Sequence, residues 1–330
     1  MQSVKSIKNF LLAYDNKKFI SNFLLAYAII KRWGDIESMV NYRIDEDVKL
    51  IREILNLSQK QFAEKIDVDA ITVARWETGK MDTNENNIEK IYTFALNNNI
   101  FINEIKAQLY YEDLANENKL VLYHGAKNII EGNIDIEHSK NNNDFGKGFY
   151  CGESFEQASL FVSGFDTSSV YILSFNPQNL SSIEYKVNQE WMLTIAYFRG
   201  RLSGYEDHPI IKKLINKLED IDYLVAPIAD NRMFRIIDSF IEGEITDEQC
   251  IHCLAATNLG FQYVFKTERA LSQVKIVERC YLCNKEKEKY QIKRLEDSKV
   301  GDTKIKMARR QYRGRGQYID EILWKEKWIK

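Results

Sequence analysis

Apolar residues recur at helical spacing through the first third of the chain, and as short runs between helical stretches after that. Residues 45–55 place Val48, Ile51, Ile54 and Leu55 on one helical face. Ser58 then stands as an N-cap for residues 59–66, whose Phe62, Ala63 and Ile66 turn inward. Asp67-Val68-Asp69 reads as a tight turn, residues 70–77 as a third helix ended by Gly79, and residues 86–96 as a fourth. Residues 1–43 read as two short helices carrying Phe-Leu-Leu-Ala-Tyr at 10–14 and again at 23–27. The thirteen-residue offset puts the two copies on different helix faces, which argues against a solenoid repeat.

Beyond Leu120 the pattern becomes alternating strands and helices. Residues 120–123, 170–175, 223–226 and 262–266 are strand-like. Helical stretches are expected at 155–164, 188–199, 208–218 and 247–257, with a polar loop at 141–144. In the tail, 304–312 reads as a helix, Gly314-Arg315-Gly316 as a break, and 318–330 as another helix. The expected organisation is a helical N-terminal segment (1–43), an all-α domain (44–97), a linker helix (98–119), an α+β domain (120–283) and a basic helical tail (284–330).

Length and composition add two points. With 45% apolar and 28% charged residues, 330 residues suffice for more than one globular unit. The net charge of −2 hides a segregation, because residues 284–330 carry 15 Lys/Arg against 8 Asp/Glu. A basic tail on an acidic body implies an anionic partner, an intramolecular contact or a solvated face. No secretory signal or membrane span is legible, and five cysteines without such a signal suit a reducing, cytoplasmic setting.

Leu57-Ser58-Gln59-Lys60-Gln61-Phe62-Ala63-Glu64-Lys65-Ile66, followed by Ile71-Thr72-Val73-Ala74-Arg75-Trp76-Glu77-Thr78-Gly79-Lys80, resembles the phage-repressor type of helix-turn-helix. The resemblance implies that the second helix enters the major groove of operator DNA, with Asp69, Thr72 and Arg75 nearest the bases and Gln59 and Lys60 on phosphates. Two positions depart from that family. Asp67 stands where Gly is usual in the turn, and Met81-Asp82-Thr83 stand where a Pro is usual. Acidic residues flank the recognition helix, so a protein contact is the alternative to DNA.

Three further segments carry candidate chemistry: Leu122-Tyr123-His124-Gly125, Phe145-Gly146-Lys147-Gly148-Phe149-Tyr150 and Phe261-Gln262-Tyr263-Val264-Phe265. His124 can hydrogen-bond a hydroxyl, Gly125, Gly146 and Gly148 allow close backbone approach, and Tyr150 offers an aromatic face. In this order they resemble the His-Tyr-Glu group of ADP-ribosyltransferases, which includes diphtheria toxin and the poly(ADP-ribose) polymerases. The resemblance implies a split β-sheet fold that binds NAD as substrate. Its expected catalytic residues are His124, Tyr150 and Gln262, and its NAD-binding residues add Gly125, Gly146, Gly148, Phe149, Phe161 and Arg232. Phe161 falls where that family often places a second stacking Tyr, and Ala158 where it has a nicotinamide-binding Ser, leaving Gln157 or Ser159 as substitutes. Gln262 in place of Glu implies transfer of single units, with Glu190 as a candidate replacement carboxylate. Residues 120–280, including Asn188, Glu190-Trp191, Asp222, Pro227, Ala229-Asp230-Asn231-Arg232 and residues 262–268, resemble an uncharacterised bacterial branch of the superfamily.

Cys250-Ile251-His252-Cys253 and Cys280-Tyr281-Leu282-Cys283 form two CxxC pairs. Neither is followed by a Gly-rich knuckle and the first sits in an apparent helix, so packing thiols are expected and zinc is not. The leading expectation is a mono-ADP-ribosyltransferase acting on a protein or nucleic-acid acceptor, as a bacterial toxin or phage-defence effector with an antitoxin partner. The alternatives are a helix-turn-helix regulator with a non-catalytic NAD-binding domain, and an NAD hydrolase.

Overall fold

The computed structural model describes residues 41–257 and 259–324, so both copies of the repeated pentapeptide lie outside the described residues. Among the described residues, five helices precede the first strand: α1 (Ile44–Ile54), α2 (Gln59–Ile66), α3 (Ala70–Glu77), α4 (Glu85–Asn97) and α5 (Ile102–Asn116). Val48, Ile51, Phe62, Val73, Trp76 and Ile91 close the core of the first four. Reciprocal capping starts α2, with Ser58 Oγ accepting from the Gln61 amide at 3.2 Å and Gln61 Oε1 accepting from the Ser58 amide at 2.8 Å. Asp67 ends that helix at φ 56°, a left-handed conformation that Asp adopts more readily than most residues. That is why the turn dispenses with the usual Gly.

Seven strands form one sheet: β1 (Leu120–Ala126), β2 (Phe149–Gly152), β3 (Ser169–Phe175), β4 (Ser182–Glu184), β5 (Tyr223–Pro227), β6 (Phe261–Phe265) and β7 (Val274–Tyr281). Their order is β4-β5-β6-β2-β1-β3-β7, antiparallel throughout except for β4 beside β5. β1 pairs with β3 along its whole length, from Leu120–Phe175 to Ala126–Ser169, but meets β2 at Tyr123–Gly152. The sheet is therefore two halves joined at a narrow seam between β1 and β2.

The helices α6 (Phe155–Val162), α7 (Gln189–Phe198), α8 (Pro209–Asn216), α9 (Asn231–Ile241) and α10 (Asp247–Ala255) are followed by the short α11 (Glu268–Leu271). Trp191, Ile195, Ile211, Ile237 and Phe240 pack against Leu224 and Val264 under one half-sheet. Val162, Phe155 and Tyr290 pack against Val121, Val170 and Ile172 under the other. The opposite face buries Leu122, Phe149, Tyr171, Phe175 and Phe265.

The tail differs from the expected short helix at 304–312. It is one helix of 28 residues, α12 (Asn284–Gln311), followed by α13 (Ile319–Trp324). Its basic residues partly serve intramolecular contacts: Lys293 pairs with Glu156 at 2.9 Å, and Lys287 Nζ donates to the Asp166 carbonyl at 2.6 Å. Gly301 lets the helix pass Arg232, whose guanidinium would collide with an added Cβ. Among the described residues, no helix is long and apolar enough to cross a membrane.

A buried charge cluster joins the helical domain to the sheet. Lys106 Nζ, on α5, lies 2.6 Å from Asp47 Oδ1 on α1 and 3.1 Å from Glu278 Oε1 on β7. Tyr110 donates to Glu278 at 3.0 Å, and Tyr92 donates to Asp47. Burial disfavours the ammonium, but the two flanking carboxylates more than offset this and hold Lys106 charged.

Candidate active site

His124 sits at the seam. Past the Tyr123–Gly152 pair, its ring bridges the diverging half-sheets, with Nδ1 2.7 Å from the Tyr150 carbonyl. A carbonyl oxygen only accepts, so Nδ1 carries the proton and the neutral ring presents Nε2 as an acceptor. Burial lowers the pKa of His124 below the usual 6.5, which favours that neutral form. Phe149 stacks on the imidazole, with ring centroids 4.5 Å apart, and so fixes its plane. Gly125 is required by packing, because an added Cβ would lie 2.7 Å from both the Ala158 carbonyl oxygen and Val162 on α6.

Tyr150 anchors the glycine loop that precedes it. Its hydroxyl donates to the Gly146 carbonyl at 2.7 Å and accepts from the Phe145 amide at 3.1 Å. Lys266, one residue past β6, donates to the carbonyls of Phe145, at 2.8 Å, and Lys147. Burial brings the Lys266 ammonium down to about 8. Side chains on either glycine would collide within the protein: at Gly146 with the Phe198 ring at 2.9 Å, at Gly148 with Val264 at 2.7 Å. The close approach these glycines allow is therefore first of all to neighbouring parts of the chain.

Gln262 lies on β6, in the same row as Gly152 of β2 and Ala226 of β5. Sheet order thus sets His124, Tyr150 and Gln262 on three adjacent strands, β1, β2 and β6. Gln262 Nε2 donates to Asp144 Oδ2 at 3.1 Å and to the Pro227 carbonyl at 3.3 Å. Arg199, the C-cap of α7, donates to the other Asp144 oxygen through Nε at 2.9 Å and Nη2 at 2.6 Å. Asp144 and Arg199 are not evident from the sequence, where Asp144 is one residue of a polar loop.

Other expected members stand elsewhere. Phe161 is 63% exposed on the outer side of α6. Arg232 is engaged by Asp230 Oδ2 at 2.8 Å and by the Ser298 carbonyl of α12 at 2.9 Å, so it clasps the tail helix rather than presenting a free guanidinium to a diphosphate. Ala158 is buried, Ser159 donates to the Phe155 carbonyl at 2.9 Å, and Gln157 donates to the Leu259 carbonyl beside β6. Neither candidate substitute for the nicotinamide-binding Ser is thus free. Glu190 pairs with Lys217 at the start of α7, and the carboxylate that meets Gln262 is that of Asp144. The cysteines occupy separate environments, Cys250 under α9, Cys280 among the packing of α6 and Cys283 against the helical domain. Among the described residues no group of three or more His, Cys, Asp or Glu is placed to hold a metal ion.

On the helix-turn-helix face, Lys60, Asp69 and Arg75 are exposed and Thr72 is half-buried. Gln59 donates to Glu77 at 2.7 Å, and Glu77 also holds Arg52 at 2.7 Å, so the Gln59 amide braces the three-helix core instead of reaching outward. Ile71, beside Thr72 on α3, is 66% exposed.

Two known families match parts of the chain. Residues 48–91 match the family described as Helix-turn-helix, and residues 120–276 match one described as Protein of unknown function (DUF3990). No curated protein and no solved structure matches the chain. Helices α1 to α4 thus form a helix-turn-helix of phage-repressor type, followed by a mixed α/β domain with a helical C-terminal region.

Proposed function

We propose that the chain is a mono-ADP-ribosyltransferase that cleaves NAD and passes ADP-ribose to a macromolecular acceptor, protein or nucleic acid. The carrying observation is the placement of His124, Tyr150 and Gln262 on three adjacent strands, with the His124 ring held by the Tyr150 carbonyl. His124 Nε2 and Gln262 Oε1 are acceptors suited to ribose hydroxyls, and fixing those hydroxyls positions C1′ for reaction. The bond from C1′ to the nicotinamide nitrogen breaks with its electron pair leaving on nicotinamide. A lone pair of the acceptor then forms the new bond to C1′, and the acceptor's proton passes to solvent. A helix-turn-helix joined to such a transferase suits a toxin or phage-defence effector restrained by an antitoxin.

Purified protein and its His124→Ala variant, incubated with labelled NAD and cell lysate, test this once protein and nucleic acid are separated. Label in either fraction, lost in the variant, supports transfer and names the acceptor class. Nicotinamide release without label makes the protein a hydrolase instead.

A second reading, a regulator that binds operator DNA and holds NAD without turnover, is favoured by the exposed Arg75, Asp69 and Ile71 on α3 and its N-cap. Against the groove's phosphates, residues 44–97 carry 7 Lys/Arg and 11 Asp/Glu. Selection of DNA from a random pool by the intact protein tests it, with Arg75→Ala abolishing enrichment.

A further inference from the structure

The departure of the third site position from Glu has a structural counterpart. We propose that Asp144 is the positioning residue of the site, setting the Gln262 amide so that its oxygen faces the ribose; this rests on the ADP-ribosyltransferase reading above. The amide nitrogen of Gln262 has two acceptors around it, Asp144 Oδ2 at 3.1 Å and the Pro227 carbonyl at 3.3 Å. Turning the amide over would set Oε1 against a carboxylate and a carbonyl, with no donor for it. The orientation is therefore decided by chemistry, and Oε1 is left as the outward acceptor.

Asp144 is itself fixed. It is 6% exposed, and Arg199 grips its second oxygen through two guanidinium nitrogens. Each carboxylate oxygen thus has one task, Oδ1 to take Arg199 and Oδ2 to take Gln262. The negative charge beside the amide also polarises it and strengthens Oε1 as an acceptor. A glutamate in place of Gln262 would bring a second carboxylate against Asp144 and against the Pro227 carbonyl. Gln262 is accordingly matched to Asp144: the site keeps an acceptor at the third position and moves the carboxylate one step back, onto the loop that leads into Gly146.

The test is a cycle of Asp144→Asn, Gln262→Glu and the double variant in the full chain, read by nicotinamide release from NAD and by thermal midpoint. In Asp144→Asn the new carboxamide can offer its oxygen to Arg199 only by turning its amino group toward Gln262, which reverses the Gln262 amide. Asp144→Asn is expected to lower kcat about tenfold while KM for NAD moves much less. Gln262→Glu is expected to lower both turnover and thermal midpoint. In the double variant the introduced amino group meets the introduced carboxylate, and both readouts recover above the Gln262→Glu values.

An active wild type with unchanged kcat in Asp144→Asn, or simply additive losses in the double variant, overturns the pairing. A wild type that binds NAD without releasing nicotinamide overturns the reaction reading instead. In that case the thermal midpoints still decide the pairing, since recovery in the double variant needs no turnover.

Discussion

In the proposed reaction His124 supplies a ribose acceptor, and its protonation state sets a pH prediction. Burial depresses its pKa below 6.5, so in the folded chain Nε2 keeps its lone pair down to a lower pH than an exposed histidine would. Nicotinamide release is expected to fall along an acid limb whose midpoint lies below 6.5, because protonation removes the acceptor. Initial rates measured from about pH 5 to 8 check this, and a midpoint above about 7 contradicts it. Stability follows the same sign: the unfolded chain binds this proton more tightly, so the His124 contribution is present above 6.5 and lost as pH falls through the depressed value. His124, Tyr150 and Gln262 are legible in the sequence because each sits in a short segment of recognisable composition. Asp144 is not, because its partner Gln262 is 118 residues away and nothing in the polar loop marks which residue turns inward. Arg232 misleads for the opposite reason: a guanidinium beside an Asp suggests an anion site, but its partner is the backbone of α12.

Among the elements, α6 links the glycine face of β1 to the loop before β6. Its N-terminus is a capping box: Ser154 Oγ accepts from the Gln157 amide and Gln157 Oε1 accepts from the Ser154 amide, each at 3.2 Å. Gln157 also donates to the Leu259 carbonyl, so the cap and the approach to Gln262 share one side chain. Ser154→Ala is expected to cost about 1 kcal/mol, lowering the thermal midpoint by roughly 2–4 °C. Calorimetry of the variant checks the value, and an unchanged midpoint contradicts it. Strands β1, β3, β5 and β6 announce themselves as compact apolar runs, but β2 and β4 are too short to do so, and Glu278 and Arg279 interrupt β7. Both charges have protein partners, Glu278 with Lys106 and Arg279 with Ser169 and the Tyr42 ring. Helix α9 carries a plain apolar face of Met233, Ile237 and Phe240 behind its Asp230 cap, overshadowed by the attraction of Asp230 and Arg232 as chemistry. The internal Gly301 and the dense charge of α12 hide a helix whose packing side is set by contacts with α6, α9 and α10.

At the scale of the whole molecule, Lys106 ties the helix-turn-helix to the sheet through Asp47 and Glu278. Lys106→Met keeps the bulk of the side chain but leaves two buried carboxylates without their ammonium. A loss of about 3–5 kcal/mol is expected in denaturant unfolding, with the helical domain and the sheet no longer melting together. A loss below about 1 kcal/mol means that the cluster does not join them. In the proposed transfer, this joined arrangement is what would present an acceptor held by the tail or the helix-turn-helix to the seam. The proposal that this site cleaves NAD is tested most directly by measuring nicotinamide released from NAD by the purified full chain and by its His124→Ala variant. Steady release by the wild type and a fall on the order of 100-fold in the variant are expected. No release by the wild type, or equal release by both, contradicts it.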